Sequence, residues 1–293
     1  MKADDPMPRR ILVVGSSGII GRGVLNILCG KLPIPQRRVT FLERDDEGSY
    51  RIVACGHVEL AERDALRAWI DRQPDAVVYL AGIHARALSI QPELGYRVNV
   101  QALAEVLEAM GHKGRSLPVI YASSTAIHDP ADGAYAEQKL HAERTLVAGG
   151  VPGVALRFPT VLPRSPGAGR TSMLDDSIRQ ALRGGASVWP ISPDRALRVM
   201  STVGAARHVV AALSSRPGPG AMALDLPATV VTPRSLCAAA GALQPSIEVD
   251  GELEALLARR SVEIHTMAAR ELGFPEAESL SELVAALRAL SNP

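Results

Sequence analysis

The sequence is poor in aromatic residues and in net charge, and each shortage argues against a class of partner. Phe, Trp and Tyr make up 3% of the 293 residues, which leaves few stacking platforms for single-stranded nucleic acid. Lys and Arg number 32 against 31 Asp and Glu, so the formal charge of +1 lacks the basic surplus of a general phosphate-backbone binder. We therefore expect no nucleic-acid partner.

Cysteine and long apolar runs are equally scarce. The three cysteines, Cys29, Cys55 and Cys237, are far apart and form no CxxC pair, which is typical of reduced, structural thiols in a cytoplasmic protein. No apolar run reaches the roughly 18 residues of a membrane span, and residues 1–10 lack the apolar core of a signal peptide. No HxxxH pair or Cys/His cluster is present, so we expect no metal site and no membrane partner.

Short apolar runs alternate with amphipathic stretches through the first half of the chain. Ile11–Val14 is a continuous apolar run, as expected for a strand buried on both faces of a parallel sheet. Strands separated by helices predict βαβ units, and hence an α/β fold with an open, doubly wound parallel sheet. The other predicted strands are Val39–Leu42, Arg51–Ala54, Ala76–Leu80, Leu117–Ala122 and Val154–Arg157, and the helices are Ile20–Leu32, Glu62–Asp71, Glu93–Met110 and Tyr135–Ala148.

The second half of the chain is less regular. A length of 293 residues allows about two domains at roughly 150 residues each. We predict a first domain over 1–155 and a C-terminal lobe over 156–293, from which some segments return to the first sheet. The lobe is predicted to begin with a Pro- and Gly-rich loop, Pro159–Gly169, and to contain helices at Met173–Arg183, Ala205–Leu213, Thr232–Ala240, Glu252–Arg260 and Leu280–Leu290.

A glycine-rich turn follows the first predicted strand and leads into a helix. Gly15, Gly18 and Gly21 are spaced GxxGxxG. In this setting one glycine makes the tight turn, one lets the backbone approach a pyrophosphate, and one lets the helix pack on the strand. The free N–H groups and the positive dipole end of the helix then attract phosphate. The turn therefore predicts a dinucleotide site.

An acidic residue after the next predicted strand indicates which dinucleotide binds. Glu43 lies 22 residues beyond Gly21, close to the spacing of about 20 expected for a ribose ligand. Its carboxylate would accept hydrogen bonds from both ribose hydroxyls and repel a 2′-phosphate, which favours NAD over NADP. Arg44 keeps NADP open, because an arginine at this corner can hold a 2′-phosphate.

Tyr135 and Lys139 form a YxxxK pair on a predicted helix. Residues four apart share a helix face, so the two side chains point the same way. An ammonium group beside a phenol favours the phenolate and lowers the tyrosine pKa from about 10. Tyr135 is therefore predicted to act as a general acid/base near neutral pH.

Ser124 and Asn99 complete a candidate catalytic set with this pair. Ser124 ends the strand before the Tyr135 helix, at the carboxyl edge where open α/β sheets bind ligands, and is predicted to hold a substrate oxygen. Asn99 lies in the preceding predicted helix and is predicted to order a water beside Lys139. A serine 11 residues before YxxxK, behind a glycine turn with an acidic partner, is far more specific than YxxxK alone.

Together these residues resemble the extended short-chain dehydrogenase/reductases, also called the NAD-dependent epimerase/dehydratase family. The family fold is a Rossmann-type doubly wound parallel sheet with a small C-terminal substrate lobe, so the resemblance implies that the first domain binds NAD. Glu93–Val100 and Leu156–Val161 look most like the D-erythronate dehydrogenase branch, which oxidises a small sugar acid with NAD. The resemblance is carried by Gly15, Gly18, Gly21, Glu43, Leu80–Gly82, Tyr96–Asn99, Ala122–Ser124, Tyr135, Lys139, Leu156 and Arg157.

By this resemblance the cofactor site extends well beyond the glycine turn. Tyr135 would be the general acid/base, Lys139 would bind the nicotinamide ribose, and Ser124 would bind the reacting oxygen. His57 stands where the family usually places an aspartate against the adenine ring, so the adenine contacts are expected to differ. The complete predicted cofactor set is Gly15, Ser17, Gly18, Ile19, Ile20, Gly21, Glu43, Arg44, His57, Val58, Leu80, Ala81, Gly82, Asn99, Ala122, Tyr135, Lys139, Phe158 and Thr160.

A substrate that carries a carboxylate needs a positively charged side chain in its binding site, and the candidates lie in the second half of the chain. Arginine offers a planar fork suited to carboxylate, and Arg164, Arg170 and Arg195 are the candidates. Arg195 resembles the family arginine that often contacts a phosphate or acid group. The complete predicted substrate set is His84, Ser124, Thr125, Arg164, Arg170 and Arg195, and His128 also follows a strand end.

Two departures from the family pattern weaken the case for a nucleotide-sugar substrate. Thr160 stands where sugar-nucleotide epimerases usually carry an asparagine that holds the diphosphate. The connection from Ser124 to Tyr135 is also shorter than is usual in the family, which leaves less wall around the sugar pocket.

The leading hypothesis is an NAD-dependent dehydrogenase that transfers hydride at a secondary alcohol or ketone of a small sugar acid or related polyol. Two alternatives stay open. One is a nucleotide-sugar epimerase or dehydratase with tightly bound NAD, and the other is a catalytically silent NAD(P)-sensing regulator. By analogy with the family we also expect a homodimer formed through helices 93–110 and 135–148.

Overall fold

A large, mostly parallel sheet forms the centre of the protein. The computed structural model describes residues 7–30, 38–112, 114, 116–129, 133–162, 172–215 and 218–291. The strands within these ranges are Arg10–Val14 (β1), Val39–Arg44 (β2), Tyr50–Gly56 (β3), Ala76–Tyr79 (β4), Val119–Ser124 (β5), Gly153–Phe158 (β6), Thr160–Leu162 (β7), Val188–Trp189 (β8), Leu197–Ser201 (β9), Ala221–Asp225 (β10), Thr229–Val231 (β11) and Ser246–Ile247 (β12). Seven of these described strands form the central sheet in the order β10-β6-β5-β4-β1-β2-β3. The predicted α/β fold class is confirmed.

The second strand departs from the predicted parallel arrangement. β2 pairs antiparallel with β1, so that Glu43 lies opposite Arg10. Residues 45–49 turn β2 directly into β3, and the Asp45 carboxylate accepts two backbone N–H groups of this turn. A connection this short joins only antiparallel strands, because a parallel crossover needs about a dozen residues or more. β3 therefore runs parallel to β1, and β2 runs against both.

Helices cover both faces of the central sheet. In chain order the described helices are Ile19–Cys29 (α1), Arg67–Ile70 (α2), Ala85–Leu88 (α3), Pro92–Tyr96 (α4), Ala102–Gly111 (α5), Gly133–Ala148 (α6), Ser172–Leu182 (α7), Thr202–Ser214 (α8), Pro233–Ala239 (α9), Gly251–Arg259 (α10), Met267–Glu271 (α11) and Leu280–Ser291 (α12). α1 and α8 bury Val24 and Val209 against one face. α5 and α6 bury Leu103 and Leu146 against the other. This double coverage explains why the central strands read as continuous apolar runs.

The C-terminal lobe has a core of its own. It contains a small sheet in the order β11-β9-β7, with helices α7, α9, α10 and α12 packed around Trp189, which is 1% exposed. β10 and α8 lie in the second half of the sequence but pack with the central sheet. We keep the division into 1–155 and 156–293 as a proposal.

Several predicted elements differ from those observed. The predicted helix Glu93–Met110 consists of α4, a π-helical turn at Arg97–Gln101 and α5. The predicted helix Glu62–Asp71 is reduced to α2, because Asp64 has a φ of 56°, which an α-helix does not accommodate. The loop predicted at 159–169 begins instead with β7, which pairs with β9 of the lobe, and residues 163–171 lie outside the described ranges.

Candidate functional site

The glycine turn joins β1 to α1 through contacts that require glycine at two of its positions. Gly15 has a φ of 86°, and a Cβ built on it would lie 2.6 Å from the backbone nitrogen of Ala81. A Cβ on Gly21 would lie 2.3 Å from the carbonyl oxygen of Gly15. A Cβ on Gly18 would meet only that oxygen, at 3.2 Å. The first and third glycines therefore serve the packing of the turn, and the second leaves open space in a cavity that all three line.

This cavity opens at the carboxyl ends of β1, β4, β5 and β6 and has a volume of about 540 Å³. Such a volume falls within the range of about 300–1,000 Å³ that is usual for ligand pockets. α1 begins at its edge with no side chain capping the helix, which leaves first-turn N–H groups for an anion. Of the predicted site residues, those that line the cavity are Gly15, Ser17, Gly18, Ile19, Ile20, Gly21, Leu80, Ala81, Gly82, His84, Ala122, Ser124, Tyr135, Lys139 and Phe158.

Lys139 is buried at the wall of the cavity, with its ammonium group close to two tyrosines. It is 4% exposed, and its Nζ donates to the carbonyl oxygen of Ala122 at 2.7 Å and to the hydroxyl of Tyr121 at 3.2 Å. The same Nζ lies 5.8 Å from the ring centre of Tyr135. Burial lowers the pKa of Lys139 to about 8, although the negative charge of Glu143 opposes this effect. A cation in this position favours the phenolate form of a neighbouring tyrosine.

A network of charged side chains fixes α6 against the sheet. The buried carboxylate of Glu143 accepts the hydroxyl of Ser123 at 2.5 Å and two hydrogen bonds from Arg157 at 2.8 and 3.0 Å. Arg157 also donates to Asp225 at 3.0 Å, and Asp225 lies 2.6 Å from His128. The hydrogen bond to Glu143 is the main cause of a raised Arg157 pKa. The network ties α6 to the ends of β5, β6 and β10, which keeps its YxxxK face on the cavity.

Ser124 ends β5 at the wall of the cavity. Its Oγ accepts the backbone N–H of Ala126 at 3.2 Å and so caps the 3₁₀ turn Thr125–His128. This bond uses the hydroxyl oxygen as an acceptor and leaves the hydroxyl proton for an oxygen atom in the cavity. Ser124 can therefore cap the turn and hold a ligand at the same time.

Asn99 occupies the π-helical turn and is fully buried. Its Oδ1 accepts the N–H of Ile83 at 2.7 Å, and its Nδ2 donates to the carbonyl oxygen of Ile83 at 3.1 Å and to Gln138 at 2.8 Å. Both amide N–H groups are occupied, so a water beside Lys139 would have to bind to Oδ1, and the predicted ordering of that water stays a prediction. The side chain holds the loop after β4, which forms part of the cavity wall.

The structure contradicts the predicted ribose contacts of Glu43 and Arg44. Because β2 runs against β1, Glu43 lies opposite Arg10, at the end of β1 away from the glycine turn, and pairs with Arg51 at 3.1 Å. Arg44 leads into the hairpin, where its Nε donates to the carbonyl oxygen of Gly48 at 3.0 Å. Neither residue lines the cavity.

Arg38 and Glu59, which the sequence patterns did not indicate, stand at the cavity wall instead. The carbonyl oxygen of Arg38 accepts the N–H groups of Gly15 and Ser16, and its guanidinium lies 3.7 Å from the carboxylate of Glu59, which follows β3. The sequence carries only a partial signal for them. The residues between the second and third predicted strands are too few for a parallel crossover, so these two strands must run antiparallel to each other, but the connection does not show which of them runs against β1.

Four further predicted residues do not line this cavity. Val58 is packed in the core, and Glu59 and Leu60, rather than His57 and Val58, line the cavity where the chain leaves β3. Thr125 and Thr160 line a second, smaller cavity, described below.

Of the three predicted carboxylate-binding arginines, only Arg195 lies within the described residues, and it does not line the cavity. The Arg195 guanidinium donates two hydrogen bonds, of 2.6 and 2.9 Å, to the carboxylate of Glu254. The negative charge of Glu254 therefore neutralises the positive charge of Arg195 within the lobe. The predicted role of Arg195 in binding a substrate carboxylate is therefore not supported by its position. Arg164 and Arg170 lie outside the described residues.

The second cavity contains an arginine that was not predicted. It is lined by Thr125, Thr160 and Arg198, among others. Arg198 donates to the carbonyl oxygens of Leu226 at 2.9 Å and Val262 at 3.4 Å, and its buried Nε finds no partner among the described residues. Burial lowers the Arg198 pKa. The described part of the chain thus holds a poorly solvated guanidinium next to the strand ends that carry Ser124 and Phe158.

The residues at the first cavity fit a dinucleotide. The space beside Gly18 and the uncapped start of α1 suit a pyrophosphate, and the lining of the cavity also includes Arg38 and Tyr135. In the described ranges, no group of three or more His, Cys, Asp or Glu side chains is placed to hold a metal ion. The helices found there are also too short or too polar to cross a bilayer.

Comparison with known proteins identifies a family and two named relatives. The model of the NAD dependent epimerase/dehydratase family matches residues 11–199. D-erythronate dehydrogenase from Cupriavidus necator is 30% identical over 236 residues, which cover 69% of this chain and 70% of that protein. D-erythronate dehydrogenase from Haemophilus influenzae is 26% identical over 168 residues, or 51% of this chain and 53% of that protein.

The fold is also similar to solved structures. The nucleoside-diphosphate-sugar epimerase from Agrobacterium tumefaciens matches with a TM-score of 0.76 and 20% identity, over 94% of this chain and 92% of that chain. At this level of identity the similarity concerns the fold alone, a doubly wound sheet with a C-terminal lobe.

Proposed function

Because the chain belongs to the NAD dependent epimerase/dehydratase family, we propose that it oxidises a secondary alcohol of a small sugar acid, with Tyr135 as the general acid/base. The protein is an NAD(P)-dependent dehydrogenase or epimerase. Of these two activities we propose the dehydrogenase, which oxidises its substrate and releases NADH. The single observation that carries it is the placement of Tyr135, Lys139 and Ser124 on the wall of the cavity that begins at the glycine turn.

Different residues of the cavity would bind the cofactor, bind the substrate and transfer the proton. The uncapped start of α1 and the space beside Gly18 would hold the pyrophosphate, and Lys139 would bind the nicotinamide ribose. When bound, the nicotinamide ring supplies an acceptor for the hydride that leaves the substrate carbon. Ser124 donates a hydrogen bond to the substrate oxygen. Tyr135, as a phenolate stabilised by the Lys139 cation, accepts the hydroxyl proton, and the reverse reaction returns it.

The second cavity supports an acidic substrate. The relatives in Cupriavidus and Haemophilus are named for D-erythronate, a hydroxy acid. Arg198 brings a half-buried guanidinium to a cavity that Thr125 and Thr160 also line, and the effect of burial on its pKa outweighs the opposing negative charge of Asp225. We propose that this arginine, rather than Arg195, attracts the substrate carboxylate, and the predicted roles of Arg164 and Arg170 stay predictions.

A ligand screen tests the proposed reaction. In the presence of NAD, D-erythronate and related small hydroxy acids should raise the melting temperature, since a ligand stabilises by RT ln(1 + [L]/Kd). They should also release NADH, measured by its absorbance. Stabilisation by nucleotide sugars alone, with NAD retained through purification and no NADH released, would favour the epimerase alternative. Cofactor binding without turnover of either class would favour the regulator.

Two further predictions concern the state of the protein in the cell. We propose a homodimer that pairs through residues 93–110 and 135–148, where α5 and α6 lie side by side. A monomeric mass in light scattering at micromolar concentration would refute it.

A cytoplasmic location remains our proposal on the basis of the three free cysteines.

A further inference from the structure

The reversal of β2 changes which residue stands beside the glycine turn. The backbone N–H of Gly15 donates to the carbonyl oxygen of Arg38 at 2.7 Å, and Ser16 N–H donates to the same oxygen at 3.1 Å. A further hydrogen bond of 2.8 Å joins the hydroxyls of Thr40 and Ser16. Arg38 is therefore fixed at the carboxyl end of β1, where a parallel second strand would have placed its last residue.

Glu59 reaches the same part of the cavity from β3. Because β3 runs parallel to β1, the residues that follow it arrive at the carboxyl edge of the sheet. The Glu59 carboxylate lies 3.7 Å from an Arg38 guanidinium nitrogen, and the two side chains are 45% and 49% exposed. An ion pair this exposed contributes little stability, so either partner can exchange the other for a ligand.

We propose that Glu59 and Arg38 together select NAD against NADP. The inference rests on the proposed function, because it requires a nicotinamide dinucleotide in the cavity. Glu59 accepts hydrogen bonds from the adenosine ribose hydroxyls, as a carboxylate at this corner does in dinucleotide sites. Arg38 lies 3.7 Å from that carboxylate, close enough to orient it toward the cavity.

The balance of charge explains the direction of the selection. A phosphate monoester carries about −1.5 to −2 charges at neutral pH. The pair has no net charge, so a 2′-phosphate would have to draw Arg38 away and leave the Glu59 carboxylate beside a second anion. Two ribose hydroxyls impose no such cost. With Glu59 neutralised, Arg38 becomes a free fork for the 2′-phosphate, and the preference should move toward NADP.

Three variants separate the roles of the two side chains. Glu59→Gln keeps the shape of the side chain and removes its charge. Adding Arg38→Ala to it removes the cation that would hold the 2′-phosphate. Glu43→Gln is the control, because Glu43 has the residue type and spacing expected of a ribose ligand but pairs with Arg51 away from the cavity.

Binding of NADH and NADPH to the purified full chain, followed by fluorescence titration, tests the proposal without any substrate. We expect Glu59→Gln to raise the ratio of NADPH to NADH affinity by about tenfold to a hundredfold, the factor that corresponds to a charge-assisted hydrogen bond. The double variant should lose this gain, and Glu43→Gln should leave the ratio at its starting value.

An unchanged ratio in Glu59→Gln would overturn the proposal, as would a gain that persists without Arg38 or a shift in Glu43→Gln. Binding of neither dinucleotide to the unmodified chain is a different result. It would contradict the proposed function itself rather than the selection.

Discussion

Asn99 binds both backbone groups of a single residue, Ile83. Its Oδ1 accepts the Ile83 N–H at 2.7 Å, and its Nδ2 donates to the Ile83 carbonyl oxygen at 3.1 Å. A Cβ added to the neighbouring Gly82 would lie 3.3 Å from Asn99 Oδ1 and 3.4 Å from Lys139 Nζ. The buried asparagine thus supports the cavity wall from behind, next to the lysine.

Asn99→Ala should therefore lower both stability and cofactor affinity. It leaves the Ile83 N–H and carbonyl without their partner, at a cost of about 1–3 kcal/mol for each buried group that stays unsatisfied. Thermal unfolding with and without NAD measures both effects. Gln101→Ala is the control, because Gln101 lies in the same π-helical turn with an exposed side chain. Equal behaviour of the two variants would contradict the assigned role.

Gly18 and Gly21 should respond differently to alanine. At Gly21 a Cβ would lie 2.3 Å from the Gly15 carbonyl oxygen and 2.7 Å from the Ser16 Cα, so the turn must shift and the protein should unfold at a lower temperature. At Gly18 the closest contact is 3.2 Å, so the fold should tolerate the methyl group while the pyrophosphate loses its space. Melting curves with and without NAD separate the two. The reverse pattern would contradict the division of roles.

Arg198 and Arg195 offer a comparison between two arginines of the lobe. Arg198→Met should raise KM for an acidic substrate, with little change in NAD affinity, because it removes the proposed partner of the carboxylate. Arg195→Met should instead lower the melting temperature, since it leaves Glu254 without the two hydrogen bonds that Arg195 donates. Steady-state kinetics at varied substrate and varied NAD distinguish the cases. A KM effect confined to Arg195→Met would restore the role predicted from sequence.

His208 should make stability depend on pH. It is 2% exposed, and burial lowers its pKa from 6.5 to about 4. The folded state therefore keeps the neutral imidazole while the unfolded chain takes up a proton, so stability is full above pH 6.5 and falls as the pH decreases toward 4. The loss should reach roughly 3 kcal/mol, at about 1.36 kcal/mol per pH unit.

Denaturant unfolding between pH 7 and 5 checks this prediction, with His208→Gln as the comparison. The variant loses the stacking of His208 on Phe274 and should start less stable, but its stability should fall less steeply with acid. Parallel curves for the two proteins would show that His208 is not the group that titrates.

Local patterns predicted most of the central sheet but not the direction of one strand. The apolar run Ile11–Val14 and its counterparts are buried on both faces, and burial of that kind leaves a clear mark in the sequence. The direction of β2 cannot be predicted in this way, because an apolar strand has the same pattern in either direction. The short 45–49 connection requires only that β2 and β3 run antiparallel to each other, and the pairing of β2 with β1 is known from the structure alone. The small strands of the lobe, such as β8 and β12, depend on tertiary pairing and carry little local pattern.

The sequence likewise predicted some residues of the candidate site but not others. Gly15, Ser124, Tyr135 and Lys139 line the cavity because their positions depend on short motifs at strand ends. Glu43 does not, because its prediction assumed a parallel second strand. Arg38 and Arg198 could not be selected from among the other arginines, since their surroundings come from segments distant in sequence.

Tyr135→Phe tests the central claim most directly. The measurement is NADH formation from a hydroxy-acid substrate, together with NAD binding by the same protein, and Tyr96→Phe, outside the cavity lining, is the control. We predict that Tyr135→Phe loses about 10²–10⁴-fold in turnover, as for loss of a general acid/base, while NAD affinity is retained. Turnover in Tyr135→Phe equal to that of Tyr96→Phe would contradict the account.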